Sequence, residues 1–251
     1  MTKGIDVFKE YFRDFKNQYV LIGGAACDIV FQNADLQFRA TRDLDIVLII
    51  EALTPEFGRR FWDFVRAGGY ENRAKSTGAP QFYRFDKPKA SDFPYMIELF
   101  ARSNAVLDNE NHGCRRLHLD EEMSSLSAIL LNSEYYELIL AGRTVLSDVT
   151  VLPHIYLILL KAKAWLDLTE RKASGHNIHD NDIRKHKNDV ARLAVLLTGN
   201  ESCAVPEGVF AEMTQFIEAF EKDPPDIKAF GIPNISIADI VGLLRKTYYT
   251  G

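Results

Sequence analysis

The sequence predicts an α+β protein in which an α/β front half precedes a helical back half. In the front half an apolar strand, Tyr19–Ile22, leads into a glycine pair, a short helix and a second apolar strand that begins at Asp43. After Pro153 the apolar residues change to helical spacing. We therefore expect two domains, 1–150 and 151–251, with the helical domain closing a cleft.

Composition excludes several classes of protein. Apolar residues make up 47% of the 251 positions, enough for one sizeable core or two smaller ones. The N-terminal residues form a charged amphipathic pattern rather than a signal peptide, and no apolar run has the length of a membrane span. Three scattered cysteines, an odd number, favour reduced thiols and a cytoplasmic location.

The charge balance limits the classes of partner. A net charge of −5 argues against a general coat for nucleic acid. The run Arg184–Lys187 is a candidate for a local basic surface, and a solvated helix face is the alternative interpretation.

The other front-half elements follow from local signals. Apolar side chains on one side predict a helix over 4–17, and a second helix, Pro55–Arg66, is ended by a pair of glycines. Two strands, Gln81–Phe85 and Tyr95–Ala101, are joined by a polar hairpin loop.

The chain from residue 103 onward is read in three parts. Residues 103–128 are predicted as a loop with a short strand near Arg116–Leu119. Tyr135–Leu140 and Thr144–Leu152 are predicted as two strands joined by a tight turn. Ser236 is a candidate N-cap for the last helix. The back-half helices are expected at Pro153–Leu168, Asp180–Leu197, Glu207–Phe220 and Ile237–Tyr248.

Two aspartates open the second apolar strand. Asp43 and Asp45 are two residues apart, so their side chains project from the same face, while the opposite face is wholly apolar, as in a central strand. Like charges at such a position require a cation to neutralise them. Carboxylate oxygens suit Mg²⁺, which binds through one or two carboxylates plus substrate phosphates.

The glycine pair supplies the complementary signal. Gly23 and Gly24 stand between the first strand and a helix, where backbone N–H groups and the helix dipole attract phosphate. Glycine also lets a triphosphate approach the backbone closely. The pattern becomes more specific when its parts are combined: a glycine turn, about 20 residues of spacer and a strand that opens with Asp-x-Asp.

These residues resemble the nucleotidyltransferase-fold superfamily, and within it the AbiEii toxin-like branch, over roughly residues 18–197. The resemblance implies a polymerase-beta-like mixed sheet with flanking helices, magnesium-dependent transfer of a nucleoside monophosphate, and a third carboxylate on a later strand. The matched segments are GGAACDIV and RATRDLDIVL, with Gly23, Gly24, Arg39, Thr41, Asp43 and Asp45 as the matched positions.

The third carboxylate is assigned to Glu98. It lies inside the apolar strand Tyr95–Ala101, roughly 50 positions after the aspartate pair, where the resemblance places a metal ligand. The family more often has aspartate there, and the alternative is a surface glutamate on an edge strand.

Two lysines of the first back-half helix receive different interpretations. The resemblance matches Lys161 and Asp167 to a Lys-x-x-Ala-h-h-Asp helix, in which the lysine holds the triphosphate and offsets charge on the transferring phosphoryl group. For Lys163 we expect a side chain that extends to solvent.

The resemblance also matches Lys187 and Asp189 to a Lys-x-Asp helix, as nucleotide-binding residues. Asp189 orients a lysine or the nucleotide, or it is a helix N-terminal aspartate that favours the dipole. Strand alternation places Arg39 on the face of Asp43 as a phosphate ligand and Arg42 on the other face, and Thr41 binds a phosphate or caps the loop.

The expected function is metal-dependent transfer of a nucleoside monophosphate from a nucleoside triphosphate to an acceptor hydroxyl. Two magnesium ions at Asp43, Asp45 and Glu98 are expected, with Lys161 as a further catalytic residue. By resemblance the acceptor is a tRNA 3′ end, a protein hydroxyl or a small molecule, and the protein is the toxin of a toxin–antitoxin pair with a cognate antitoxin. The alternative from another class is a nucleotide-binding regulator or antitoxin without turnover.

Overall fold

The computed structural model describes residues 2–72, 81–101, 132–230 and 235–251. The chain divides into two compact units by internal contacts. Unit 1 is Met1–Met123 with Ile139–Pro153, and unit 2 is Ser124–Leu138 with His154–Gly251. The predicted strand near Arg116–Leu119 lies outside the described residues, and the predicted division at 150/151 stays a prediction.

Unit 1 is built on one mixed sheet, as expected. In the described residues seven strands lie in the order β3-β4-β5-β2-β1-β7-β6. β2 is therefore a central strand: it pairs antiparallel with β1 and parallel with β5. The strands are β1 (Tyr19–Ile22), β2 (Asp43–Leu48), β3 (Glu71–Asn72), β4 (Gln81–Asp86), β5 (Met96–Ala101), β6 (Thr144–Leu146) and β7 (Val149–Val151).

Helices flank this sheet, and an aromatic cluster joins them to it. The helices are α1 (Ile5–Phe12), α2 (Gly23–Asn33) and α3 (Pro55–Gly68). Thr54 caps α3 through a hydrogen bond from the Phe57 N–H, and Gly69 ends it in a left-handed conformation. The cluster gives unit 1 its main apolar core, and its rings pack at centroid distances near 5–6 Å, as between Phe8 and Tyr19, 5.1 Å, and Phe12 and Phe64, 5.5 Å.

Two secondary-structure predictions were wrong. Tyr135–Leu140 is not a strand but part of a helix, α4 (Ser133–Gly142). Tyr135 and Ile139 are both buried and are four residues apart, which is helical spacing. The second predicted strand, Thr144–Leu152, is instead a hairpin, β6–β7, whose turn residues Ser147 and Asp148 both have positive φ, as a type I′ turn requires.

Unit 2 is largely helical. After α4 it contains α5 (His154–Ala173), α6 (Asp180–Ala194), α7 (Glu207–Lys222) and α8 (Ile237–Thr247). Ser236 caps α8 and forms a capping box with Asp239, which confirms the predicted N-cap. Two short strands that the sequence analysis did not anticipate, β8 (Cys203–Val205) and β9 (Tyr248–Thr250), pair in parallel.

Among the helices that the structure describes, none combines the length and the apolarity needed to cross a bilayer.

Candidate functional site

The glycine pair lies directly against the aspartate strand. Gly23 has φ +66°, and a Cβ built on it would lie 1.7 Å from Oδ2 of Asp45. A Cβ on Gly24 would lie 2.6 Å from Oγ1 of Thr41. The positive φ favours glycine at position 23, and a Cβ at either position would displace the Asp45 carboxylate or the Thr41 hydroxyl. The first turn of α2 therefore lies beside Asp45 and Thr41.

The strand register brings the third carboxylate to the same place. β2 and β5 are parallel, with Asp45 opposite Glu98 and Asp43 opposite Met96. Residues directly opposite one another in adjacent strands share a face of the sheet and lie about 5 Å apart. Asp43, Asp45 and Glu98 thus occupy one face of two neighbouring strands. Asp43, Asp45 and Glu98 are each partly exposed rather than buried.

Glu98 has a partner that the sequence analysis missed. Arg84 lies opposite Glu98 across the antiparallel β4–β5 pair. Its Nε and one terminal nitrogen donate to the same carboxylate oxygen, Oε1, at 2.9 and 2.6 Å. The available signal was the predicted hairpin: a single arginine in one arm and a single glutamate in the other form a cross-strand pair when the loop sets that register.

The donor atoms on this face match a hard divalent cation in kind. Carboxylate oxygens are the ligands that magnesium prefers. Within the described ranges, however, no group of three or more His, Cys, Asp and Glu side chains is arranged to hold a metal ion. The set Asp43, Asp45 and Glu98 therefore stays a prediction as a metal site.

The residues before β2 are arranged less simply than strand alternation implies. Residues 36–42 have no regular secondary structure, so the alternation that placed Arg39 does not extend to it. The guanidinium of Arg39 lies 5.4 Å from the centroid of the Phe38 ring, and Arg42 is exposed. Thr41 is the residue of this segment whose position beside Gly24 is defined.

In unit 2 the two lysines that the resemblance singled out are both engaged. Lys161 on α5 lies with its Nζ 3.2 Å from Oδ2 of Asp189 on α6, and both side chains are buried. Arg192 lies 3.7 Å from the other oxygen of Asp189. Lys187 instead pairs with Asp223, at 2.5 Å to Oδ2 and 2.7 Å to the carbonyl oxygen.

These contacts decide one of the open alternatives. Asp189 lies well inside α6, which begins at Asp180, so the interpretation as an N-terminal aspartate that favours the helix dipole is wrong. Its contact with Lys161 agrees with the other interpretation, in which Asp189 orients a lysine. The proposed roles of Lys161, Lys187 and Asp189 toward a nucleotide stay predictions.

The expectation for Lys163 was wrong. Its Nζ is 2.6 Å from Glu212 and 3.1 Å from Asp167, and Tyr135 donates to the other oxygen of Glu212 at 2.7 Å. Burial raises the pKa of Asp167 against the opposing effect of Lys163, and it also raises the pKa of Tyr135. Burial opposes the charge on Lys163, but the two carboxylates outweigh it and raise the pKa of that lysine.

The basic run in α6 does not form one surface. Arg184 and Lys185 are exposed and contact Asn181 and Asp182 of the preceding turn, while His186 and Lys187 are buried. Only half of the run therefore faces solvent.

Comparisons with known proteins add little to this geometry. No protein-family model matches the chain, and no curated protein matches it. Among solved structures, the chain is similar to an antigenic nucleotidyltransferase-like protein from Paracoccidioides brasiliensis, at 13% sequence identity and a TM-score of 0.48. That alignment covers 97% of this chain and 91% of the other. The AbiEii-like branch stays a prediction.

Proposed function

We propose that this protein is a magnesium-dependent nucleotidyltransferase that moves a nucleoside monophosphate from a nucleoside triphosphate to an acceptor hydroxyl. The observation that carries the proposal is the register of β2 and β5, which sets Asp45 beside Glu98, together with the close approach of Gly23 to Asp45. Carboxylates and a glycine-rich helix start at one location are what a metal-bound polyphosphate requires.

Each residue has a defined task in this proposal. The N–H groups of the first turn of α2, at Gly23 and Gly24, bind phosphate oxygens. Thr41, beside Gly24, donates its hydroxyl to the same phosphates, and Arg39 supplies positive charge. Asp43 and Asp45 would hold the divalent ions, with Glu98 as a further ligand or as the general base that takes the proton of the acceptor hydroxyl.

Divalent ions held there would act as Lewis acids toward the transferring phosphoryl group. The acceptor oxygen forms a bond to the α-phosphorus, the bond to pyrophosphate breaks, and pyrophosphate leaves. Lys161, Lys187 and Asp189 of unit 2 are the further nucleotide-binding residues that we propose, with Asp189 orienting Lys161 through the 3.2 Å contact. The acceptor that we propose is a tRNA or a protein hydroxyl, with the protein acting as a cytoplasmic toxin restrained by a cognate antitoxin. A small-molecule acceptor is the alternative within the same reaction class.

A second candidate is a nucleotide-binding regulator without turnover. The Arg84–Glu98 ion pair favours it, because a carboxylate that already accepts two N–H groups is less available as a metal ligand or base.

The test is transfer of label from each of the four α-labelled nucleoside triphosphates. The full chain is incubated with total RNA or with protein, in magnesium or in EDTA. We expect magnesium-dependent labelling of one macromolecule, lowered on the order of 10²- to 10³-fold by Asp45→Asn.

The matched control is Asp63→Asn, an exposed aspartate of α3, which should label like the wild type. Nucleotide binding without any transferred label would favour the regulator. Label found only in small molecules would favour a small-molecule acceptor, and absence of both binding and transfer would contradict the proposal.

A further inference from the structure

An exposed aromatic ring lies at the start of β5. The Tyr95 residue is 48% exposed, whereas Phe12 and Tyr19 of the aromatic cluster in unit 1 are fully buried. Pro94 before it and Ile97 beyond it are also buried, so the backbone that carries the ring is fixed by the packed core. The core therefore presents this ring to solvent from a fixed position.

A cation lies on the neighbouring strand. The Tyr95 N–H donates to the carbonyl oxygen of Arg42 at 3.0 Å, one position before the first pair of the parallel β2–β5 ladder, Asp43 with Met96. Adjacent strands lie about 4.8 Å apart, so the Arg42 and Tyr95 side chains start from neighbouring positions. Arg42 is exposed, and no hydrogen bond, ion pair or ring contact engages its side chain within the described residues. Its guanidinium is therefore available to an anion from solution.

A second cation lies at the same edge of the sheet. Gly4 packs directly on the residues that precede Tyr95: a Cβ built on it would lie 2.2 Å from the Pro94 nitrogen and 2.5 Å from the Phe93 carbonyl carbon. Lys3, the residue before Gly4, is exposed. The N-terminal segment therefore brings a lysine to the edge at which the Tyr95 ring lies.

An aromatic ring between two cations has a definite chemical preference. Nucleobases of any sequence stack on exposed aromatic side chains, while arginine and lysine bind the phosphates of the same strand. The bases of a duplex already stack on one another, and a duplex is bound instead through a longer row of phosphate contacts. Asp92, exposed three positions before Tyr95, limits the width of the basic area. These features fit a single strand of nucleic acid better than a duplex.

We infer that Tyr95, Arg42 and Lys3 form a binding surface for single-stranded nucleic acid, with a base stacked on the Tyr95 ring and phosphates bound by the two cations. This inference rests on the proposed function and deepens it, because it selects nucleic acid as the acceptor over a protein or a small molecule. Arg42 directly precedes Asp43 in the chain, so a strand on this surface lies at the start of the aspartate strand. The binding itself requires no divalent ion.

The test is fluorescence anisotropy of the full chain with a labelled oligouridylate of about 12 nucleotides, in EDTA. Tyr95→Ala removes the stacking contact and should weaken binding by about 5-fold or more without changing its salt dependence. Arg42→Gln and Lys3→Gln each remove a phosphate contact, and each should reduce the slope of log affinity against log salt by about 0.7. Tyr95→Trp keeps an aromatic face and should bind at least as tightly as the wild type. A general disturbance of the fold would not separate affinity from salt slope in this way.

The matched controls are Tyr249→Ala and Arg59→Gln. Tyr249 is 47% exposed on β9, and Arg59 is an exposed arginine of α3 that pairs with Glu56. Neither change should alter the affinity or the salt slope. Three results would each overturn the inference: equal binding by Tyr95→Ala and the wild type, equal or tighter binding of a duplex of the same length, and no binding by the wild type. Self-association that Tyr95→Ala abolishes, without oligonucleotide binding, would overturn it in favour of a protein interface.

The binding assay and the labelling assay together separate this inference from the proposed function. Transfer of label by a protein in which Tyr95→Ala binds the oligonucleotide like the wild type would remove only the surface. Oligonucleotide binding that depends on Tyr95 and Arg42, in a protein that transfers no label, would leave the surface standing and remove the proposed reaction.

Discussion

The two units of this protein treat buried and half-buried charge in opposite ways. In unit 1, three carboxylates stand together on one face of β2 and β5, all partly exposed, and one of them, Glu98, pairs with Arg84. In unit 2, charges of opposite sign are matched within a few ångströms, and the central pair, Lys161 and Asp189, is buried.

This difference indicates what each arrangement does. Like charges that converge cost free energy in the isolated fold, so they are expected where a ligand of opposite charge binds. Matched buried charges are already satisfied, and breaking one of them leaves an uncompensated charge in the interior. The converging carboxylates of unit 1 are therefore the better candidate for ligand binding, while the buried ion pair of unit 2 is expected to act on folding.

The largest effect expected from this contrast is on stability, in unit 2. Asp189→Asn removes a buried carboxylate charge 3.2 Å from the buried ammonium group of Lys161 and should lower the free energy of unfolding by about 3–5 kcal/mol. Asp45→Asn changes a partly exposed carboxylate and should lower it by less than Asp189→Asn does. Urea unfolding of both variants measures the contrast, and equal losses would contradict it.

The next effect concerns the glycine turn. Gly23→Ala places a methyl group on a residue with φ +66°, against Asp45, and should cost on the order of 1–3 kcal/mol of stability together with loss of nucleotide transfer. The control is Gly242→Ala in α8, where a Cβ meets nothing within 4 Å. That change should stabilise the protein by about 0.5–1 kcal/mol. Thermal unfolding of both variants tests the pair.

A smaller effect on stability is expected from pH. It arises in the group of contacting side chains formed by Lys163, Asp167, Glu212 and Tyr135. Burial raises the pKa of Asp167 in the folded state. An acid whose folded pKa is raised contributes stability below its unfolded pKa, near 3.9, and loses it as pH rises through the folded value. The unfolding free energy should therefore contain a component that falls as pH rises above about 4.

Asp167→Asn should remove that component, whereas Asp63→Asn, at an exposed position, should keep it. Urea midpoints measured at several pH values give the slopes. An identical slope for the wild type and Asp167→Asn would show that the network does not respond to pH in this way.

The smallest effect should come from the surface of α3. Arg66→Ala breaks an exposed ion pair with Asp63 and should change the unfolding free energy by less than about 1 kcal/mol. The change is measured by urea unfolding at low and at high salt, and high salt should reduce it further. A loss of unfolding free energy as large as that of Asp189→Asn would contradict the expectation that an exposed ion pair stabilises the protein less than a buried one.

The candidate site was only partly predictable from the sequence. The strand Tyr19–Ile22, the helix that starts at Gly23 and the strand that starts at Asp43 were all predicted where the structure has them. The strand assigned to Tyr135–Leu140 was wrong because a short apolar run with two tyrosines fits a strand and a buried helix equally well. Helical spacing of its buried residues becomes decisive only when the buried side is known.

The sequence by itself determined the features that depend on near neighbours in the chain. These are the alternation that puts Asp43 and Asp45 on one face, the glycines at the strand–helix turn, and the cap at Ser236. Only the tertiary structure decided that Arg84 engages Glu98, that Asp189 pairs with Lys161, and that Lys163 is held by Glu212 rather than by solvent. Those partners are 14, 28 and 49 positions apart in the chain. Strand register and helix packing select one partner among several of the same charge, and local sequence does not specify that choice.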